Sequence, residues 1–149
     1  MEVDEPIDIQ TPKGVIKSRI GGIIDRMDSK DGTLRIVDYK TGGDADTPPH
    51  VESLFIPDKK RSNYVFQTFL YAAIMCRKQP TMKIAPALLY IIGPLQKPIL
   101  PLYKWASHES PKRLWKISVN MKKEYRERLQ GLLEEIFNPE KSFYPNRNP

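Results

Sequence analysis

Among 149 residues there is one cysteine and there are two histidines, and these scarcities remove several kinds of chemistry at once. Cys76 alone permits no internal disulfide and no cysteine-based metal cage, and it reads as a small apolar residue of a helix. His50 and His108 stand in polar, loop-like stretches and read as surface residues. No apolar run approaches the length that crosses a bilayer. The N-terminus, MEVDEPIDIQ, is acidic and lacks the basic and apolar regions of a secretion signal, so the expectation is a cytoplasmic chain with no membrane partner. Internal repeats and low-complexity segments are also missing.

What is present fits one globular domain spanning residues 1–149. The length suffices to bury a core, and 40% apolar with 28% charged residues is an ordinary globular composition. Twenty-four Lys and Arg against eighteen Asp and Glu give a net charge of +6, which leans toward a polyanionic partner. There is little lead-in before the first strand pattern, and FNPEKSFYPNRNP trails off in Pro, Asn and Arg. Both ends therefore read as cut from a larger protein.

Along the chain, residues 5–10 suggest a strand and Thr11-Pro12-Lys13-Gly14 a turn. Val15 to Met27 reads as a second strand whose partner is Thr33 to Lys40, joined through an Asp31-Gly32 pair, the strongest short-range hairpin signal. Residues 41–62 read as a long surface loop. From about Asn63 to Arg77, the apolar residues Val65, Phe66, Phe69, Leu70, Ala73 and Ile74 recur at helical spacing. Ile84 to Ile92 reads as a buried strand ended by Gly93-Pro94. Residues 98–105 suggest an edge strand, because Pro98 and Pro101 argue against a central one. The surest helix runs from about Val119 to Phe137, with Tyr125, Leu129, Leu132, Leu133 and Ile136 on one stripe. Its opposite face, where Lys122, Lys123, Arg126 and Arg128 alternate with Glu124, Glu127, Glu134 and Glu135, reads as solvated. These elements predict an α/β domain with a central mixed sheet flanked by helices.

With Asp31 and Gly32 as the two central turn residues, cross-strand partners have numbers that sum to 63. Asp25 then lies opposite Asp38, two carboxylates on one face about 4.5 to 5.5 Å apart at Cβ, with Lys40 on the same face by the period of two. Like charges at that distance raise each other's pKa unless a cation lies between them. Lys40 could be that cation in a structural ion pair. A divalent ion is the other solution: Mg²⁺ takes one or two protein carboxylates and completes its shell with water and phosphate oxygens, and Lys40 would then hold a nucleophilic water and offset charge on a scissile phosphate.

The series GGIIDRMD, IVDYKTG and QTFLYA resembles the motif set of the PD-(D/E)XK nuclease superfamily over residues 21–72. Within it, the likeness is to RecB-type nuclease domains, found in bacterial helicase-nucleases of the AddB kind and in Cas4-type exonucleases. The resemblance implies a restriction-endonuclease-like fold and a Mg²⁺- or Mn²⁺-dependent deoxyribonuclease of exonuclease type. Its parent protein would act in DNA repair and recombination, with a helicase domain or subunit as partner. By position, Asp25 and Asp38 would bind the metal with the main-chain carbonyl of Tyr39, and Lys40 would assist the attacking water. Gln67 and Tyr71 match the QxxxY motif; four apart on a helix, they share a face opposite Phe66, Leu70 and Ala73, at the edge of the site.

Two features of many such domains have no counterpart. Neither His50 nor His108 precedes Asp25, where a further metal ligand would stand. No cysteine set follows the last helix, so any iron-sulfur cluster would belong to the parent and not to this chain. Lys59, Lys60 and Arg61 are candidates to grip the DNA backbone. Arg26 would point to the opposite sheet face, near Asp28 and Arg35. Trp115, within Pro111 to Lys116, reads as a core residue more than a DNA contact. The alternatives from other classes are a DNA-binding or scaffolding module that keeps the fold without the chemistry, and a subunit interface built on an Asp-Lys-Asp cluster.

Overall fold

The computed structural model describes residues 1–41, 50–56, 63–90, 100–101 and 119–142. The basic run Lys59-Lys60-Arg61, His108, Trp115 and most of the expected 98–105 strand lie outside these residues.

Two antiparallel strands open the chain, β1 (Glu2–Thr11) and β2 (Gly14–Ile23), joined by the Pro12-Lys13 turn and paired along their whole length. After Ile24 and Asp25 come β3 (Arg26–Lys30) and β4 (Thr33–Lys40), which form the expected hairpin. Its turn is built on Asp31 at φ 50° and Gly32 at φ 70°. Positive φ at both central residues is the two-residue geometry whose twist matches paired strands, and it is why Asp-Gly stands there. The pairs Arg26↔Val37 through Lys30↔Thr33 keep the register that sums to 63.

The expectation of one strand from Val15 to Met27 is corrected by this pairing. The chain leaves the ladder at Ile24 and Asp25, so β2 pairs with β1 and only β3 pairs with β4. Alternating apolar residues run across the break, and periodicity alone does not show a change of partner.

Helix α1 (Asn63–Lys78) follows, then β5 (Lys83–Tyr90), β6 (Leu100–Pro101) and helix α2 (Val119–Ile136). Strand β5 is parallel to β4 with Asp38 beside Leu88, and β6 is the antiparallel edge, in the order β3-β4-β5-β6. This is the expected mixed sheet with flanking helices, accompanied by the separate β1-β2 ribbon. Arg77 and Lys78 in the last turn of α1 suit the negative end of the helix dipole, and Pro80 prevents its continuation. Among the described residues no helix is long and apolar enough to cross a membrane.

Helix α1 lies between two apolar clusters. One gathers Val3, Ile24, Ile36, Tyr71, Ala72, Ile74 and Met75 beneath the ribbon and the hairpin. The other gathers Val51, Leu54, Val65, Phe69, Ala73, Leu88, Tyr125 and Leu129 beneath α2. Each fully buried Ile or Leu stabilises the fold by about 1.5 to 3 kcal/mol. The expected loop over 41–62 therefore contains an ordered 3-10 turn, Val51–Leu54, whose two apolar residues belong to the core. In α2, Arg126 is not merely solvated: its guanidinium bonds the largely buried Glu5 carboxylate at 3.3 and 3.4 Å, joining α2 to β1. The expected i,i+4 pairs do form, Arg128 to Glu124 at 3.1 Å and Lys123 to Glu127 at 3.7 Å.

Candidate metal centre

Strand β4 has neighbours on both sides, and consecutive residues Ile36, Val37 and Asp38 are all buried. A central strand covered on both faces normally reads as a continuous apolar run. Asp38 interrupts that run with a carboxylate only 3% exposed. The Lys40 ammonium lies against its Oδ2.

Asp25 sits one step past the last β3-β4 pair, on the strand break. Its Oδ2 accepts the Tyr39 N–H at 2.8 Å, so a side chain continues the ladder where the main chain has turned away. This holds Asp25, which is solvent-exposed, beside Asp38. Burial pushes the Asp38 carboxyl above its ordinary value; Lys40 pulls it back, and the Asp25 carboxylate pushes it further up. Among the described residues Lys40 is the cation that meets the Asp38 carboxylate, with a second acid, Asp25, close by.

Helix α1 supplies the other wall. Lys40 Nζ donates to Gln67 Oε1 at 3.3 Å, and Gln67 Nε2 donates to the Tyr71 hydroxyl at 2.8 Å. The chain Asp38, Lys40, Gln67, Tyr71 is therefore continuous. The helical pattern put Tyr71 at the edge of the site, and the structure sets it deeper, behind Gln67. It is 4% exposed within the first apolar cluster, because both flanks of α1 are covered, and only Gln67 borders the site.

Tyr64 escaped the sequence reading. Lys40 Nζ lies 4.4 Å from the centre of its ring, a cation–π contact that helps hold the amine. The signal was available, since residues 64, 67 and 71 follow the i, i+3, i+7 spacing of one helix face. Arg26 meets its expectation: it lies on the outer face of the hairpin beside the Tyr39 side chain and pairs with Asp28 at 3.1 Å, as does Arg35.

The donor chemistry suits a hard divalent cation. Among the described residues no group of three or more His, Cys, Asp or Glu could hold a metal; the two described carboxylates would need main-chain oxygen, water or substrate to complete a shell. That is the usual habit of Mg²⁺. The buried Asp38 carboxylate, raised chiefly by burial and with the Asp25 carboxylate beside it, is a place where a bound cation would be favourable.

A family model described as the PD-(D/E)XK nuclease superfamily matches residues 1–148. No curated protein and no solved structure matches the chain.

Proposed function

Because the chain belongs to the PD-(D/E)XK nuclease superfamily, we propose that it hydrolyses DNA phosphodiester bonds with Mg²⁺ or Mn²⁺, in exonuclease fashion. We read it as the nuclease part of a cytoplasmic bacterial repair and recombination protein that works with a helicase. The superfamily supports hydrolysis of nucleic acid with divalent metal; the ion, the exonuclease mode and the parent are our reading of the motifs GGIIDRMD, IVDYKTG and QTFLYA. The observation that carries it is the buried Asp38 carboxylate, which has the Lys40 ammonium and the Asp25 carboxylate as neighbours.

In this reading Asp25, Asp38 and the Tyr39 carbonyl hold the ion. When bound, the ion supplies Lewis-acid activation of water and charge stabilisation at the phosphate. Lys40 orients the attacking water and offsets charge that develops on the phosphate oxygens. Gln67 fixes the direction of the amine, Tyr71 fixes Gln67, and the Tyr64 ring limits where the ammonium can swing. Lys59, Lys60 and Arg61 are our candidates for phosphate contacts.

The test is cleavage of end-labelled DNA with Mg²⁺, Mn²⁺ or chelator, with Asp38→Ala as control. We expect metal-dependent shortening from the ends that Asp38→Ala lacks. Equal cleavage by both proteins would contradict the assignment. Tight DNA binding without cleavage would favour a scaffolding module.

A further inference from the structure

Gly22 lies on β2 opposite Val3, three residues before Asp25. It makes no bond to the candidate centre, yet it borders the far end of the chain that holds Lys40. A Cβ added there would lie 2.6 Å from the Tyr71 hydroxyl, 2.9 Å from Cε1 and 3.1 Å from Cζ. A methyl group cannot occupy that space beside the ring. The Tyr71 hydroxyl thus occupies the space that the missing side chain of Gly22 leaves open.

The ring has little room to yield. Tyr71 is buried among Val3, Ile24, Ile36 and Met75, and close-packed interiors resist even one added methylene. The hydroxyl would have to withdraw by roughly 1 Å to regain ordinary contact. It is also the acceptor for Gln67 Nε2 at 2.8 Å, and the other end of that amide accepts from Lys40 at 3.3 Å. A shift of the hydroxyl therefore releases the amide, and with it the polar partner that sets the direction of the amine. Among the described residues, Lys40 would keep Asp38 and the Tyr64 ring.

We propose that Gly22 is a positioning residue: its bare backbone seats the Tyr71 hydroxyl, and through Gln67 this sets the Lys40 ammonium for the attack on phosphate. The inference rests on the nuclease reading above. Gly22 acts on the geometry of Lys40 and not on the metal ligands, so its substitution separates turnover from metal binding.

The experiment compares wild type, Gly22→Ala, Tyr71→Phe and the double variant Gly22→Ala/Tyr71→Phe. It uses steady-state cleavage of labelled DNA, Mn²⁺ calorimetry and thermal unfolding. Misplacing a catalytic group by about 1 Å costs up to about 100-fold in rate. Gly22→Ala is expected to lower kcat by roughly 10- to 100-fold with KM and the Mn²⁺ affinity within about threefold of wild type. Tyr71→Phe removes the acceptor without adding bulk and should show the same split. The double variant removes the hydroxyl contact and keeps those to Cε1 and Cζ; folded, it should match Tyr71→Phe in rate, because the hydroxyl through which Gly22 acts is already gone. If Gly22→Ala does not fold, the rate and Mn²⁺ affinity of Tyr71→Phe decide.

The inference is overturned if a folded Gly22→Ala or Tyr71→Phe turns over within twofold of wild type, if either loses Mn²⁺ affinity in step with rate, or if a folded double variant is tenfold slower than Tyr71→Phe. Wild type that cleaves nothing with either metal refutes the nuclease reading, and this inference with it.

Discussion

The hairpin of β3 and β4 carries an acid among basic residues on each of its faces, and the two acids behave in opposite ways. On the outer face Asp28 has two guanidiniums, Arg35 and Arg26, which hold its carboxyl below the usual value. On the inner face Asp38 has one ammonium and a second carboxylate, and burial with that neighbour holds its carboxyl above the usual value. The outer acid is satisfied by the chain itself and reads as structural. Among the described residues the inner acid meets a single cation, Lys40, and has a second carboxylate beside it. Residue types alone do not separate the two faces; the ratio of cations to carboxylates, together with burial, does.

The sharpest way to break this contrast is to remove each acid in turn. Asp38→Asn should lower metal-dependent cleavage by about 10³-fold or more, since it takes away a metal-holding carboxylate at the centre of the reaction. Single-turnover cleavage in Mg²⁺ measures it.

Lys40→Met should cost roughly 10²-fold in kcat. In metal-free buffer it should also destabilise the fold by about 2 kcal/mol, because it leaves Asp38 buried without its partner. Millimolar Mn²⁺ should recover much of that stability, as followed by denaturant unfolding with and without the ion.

Gly32→Ala, at φ 70°, should cost about 1 kcal/mol in stability. It strains the turn that sets the register of both faces, and its unfolding midpoint should shift more than its cleavage rate.

Asp28→Asn should change least, by no more than about 1 kcal/mol and with cleavage unaltered, because the pairs it breaks are partly solvated. The pH dependence has a definite sign. The native pKa of Asp28 is depressed, so its contribution is complete above the unfolded value of 3.8 and is lost as pH falls through the lower native value. Unfolding curves of wild type and Asp28→Asn should therefore diverge above that window and converge below it.

The hairpin register from Arg26↔Val37 to Lys30↔Thr33 was legible in the sequence because Asp31-Gly32 suits a tight two-residue turn; the expected Asp25–Asp38 pair falls one step beyond the ladder. Helices α1 and α2 were legible from their 3.6-residue period. The break at Ile24 and Asp25 was not, since residues on both sides keep a strand pattern and the change of partner is decided by tertiary packing. Within α1, sequence spacing placed Gln67 and Tyr71 on one face but not the second apolar cluster that buries Tyr71. Nor could it show Gly22, whose significance comes from a ring delivered by a helix some fifty residues away. The likeness in sequence was strongest over residues 21–72, whereas the family model extends over residues 1–148, consistent with a core that joins β1, α1 and α2 to the hairpin.

The claim that the inner face is a divalent-metal centre is tested most directly by titrating Mn²⁺ into wild type, Asp28→Asn and Asp38→Asn in a calorimeter. The account predicts saturable binding by wild type and by Asp28→Asn, and its loss in Asp38→Asn. Absence of binding by wild type at millimolar Mn²⁺, or equal binding by Asp38→Asn, would contradict it.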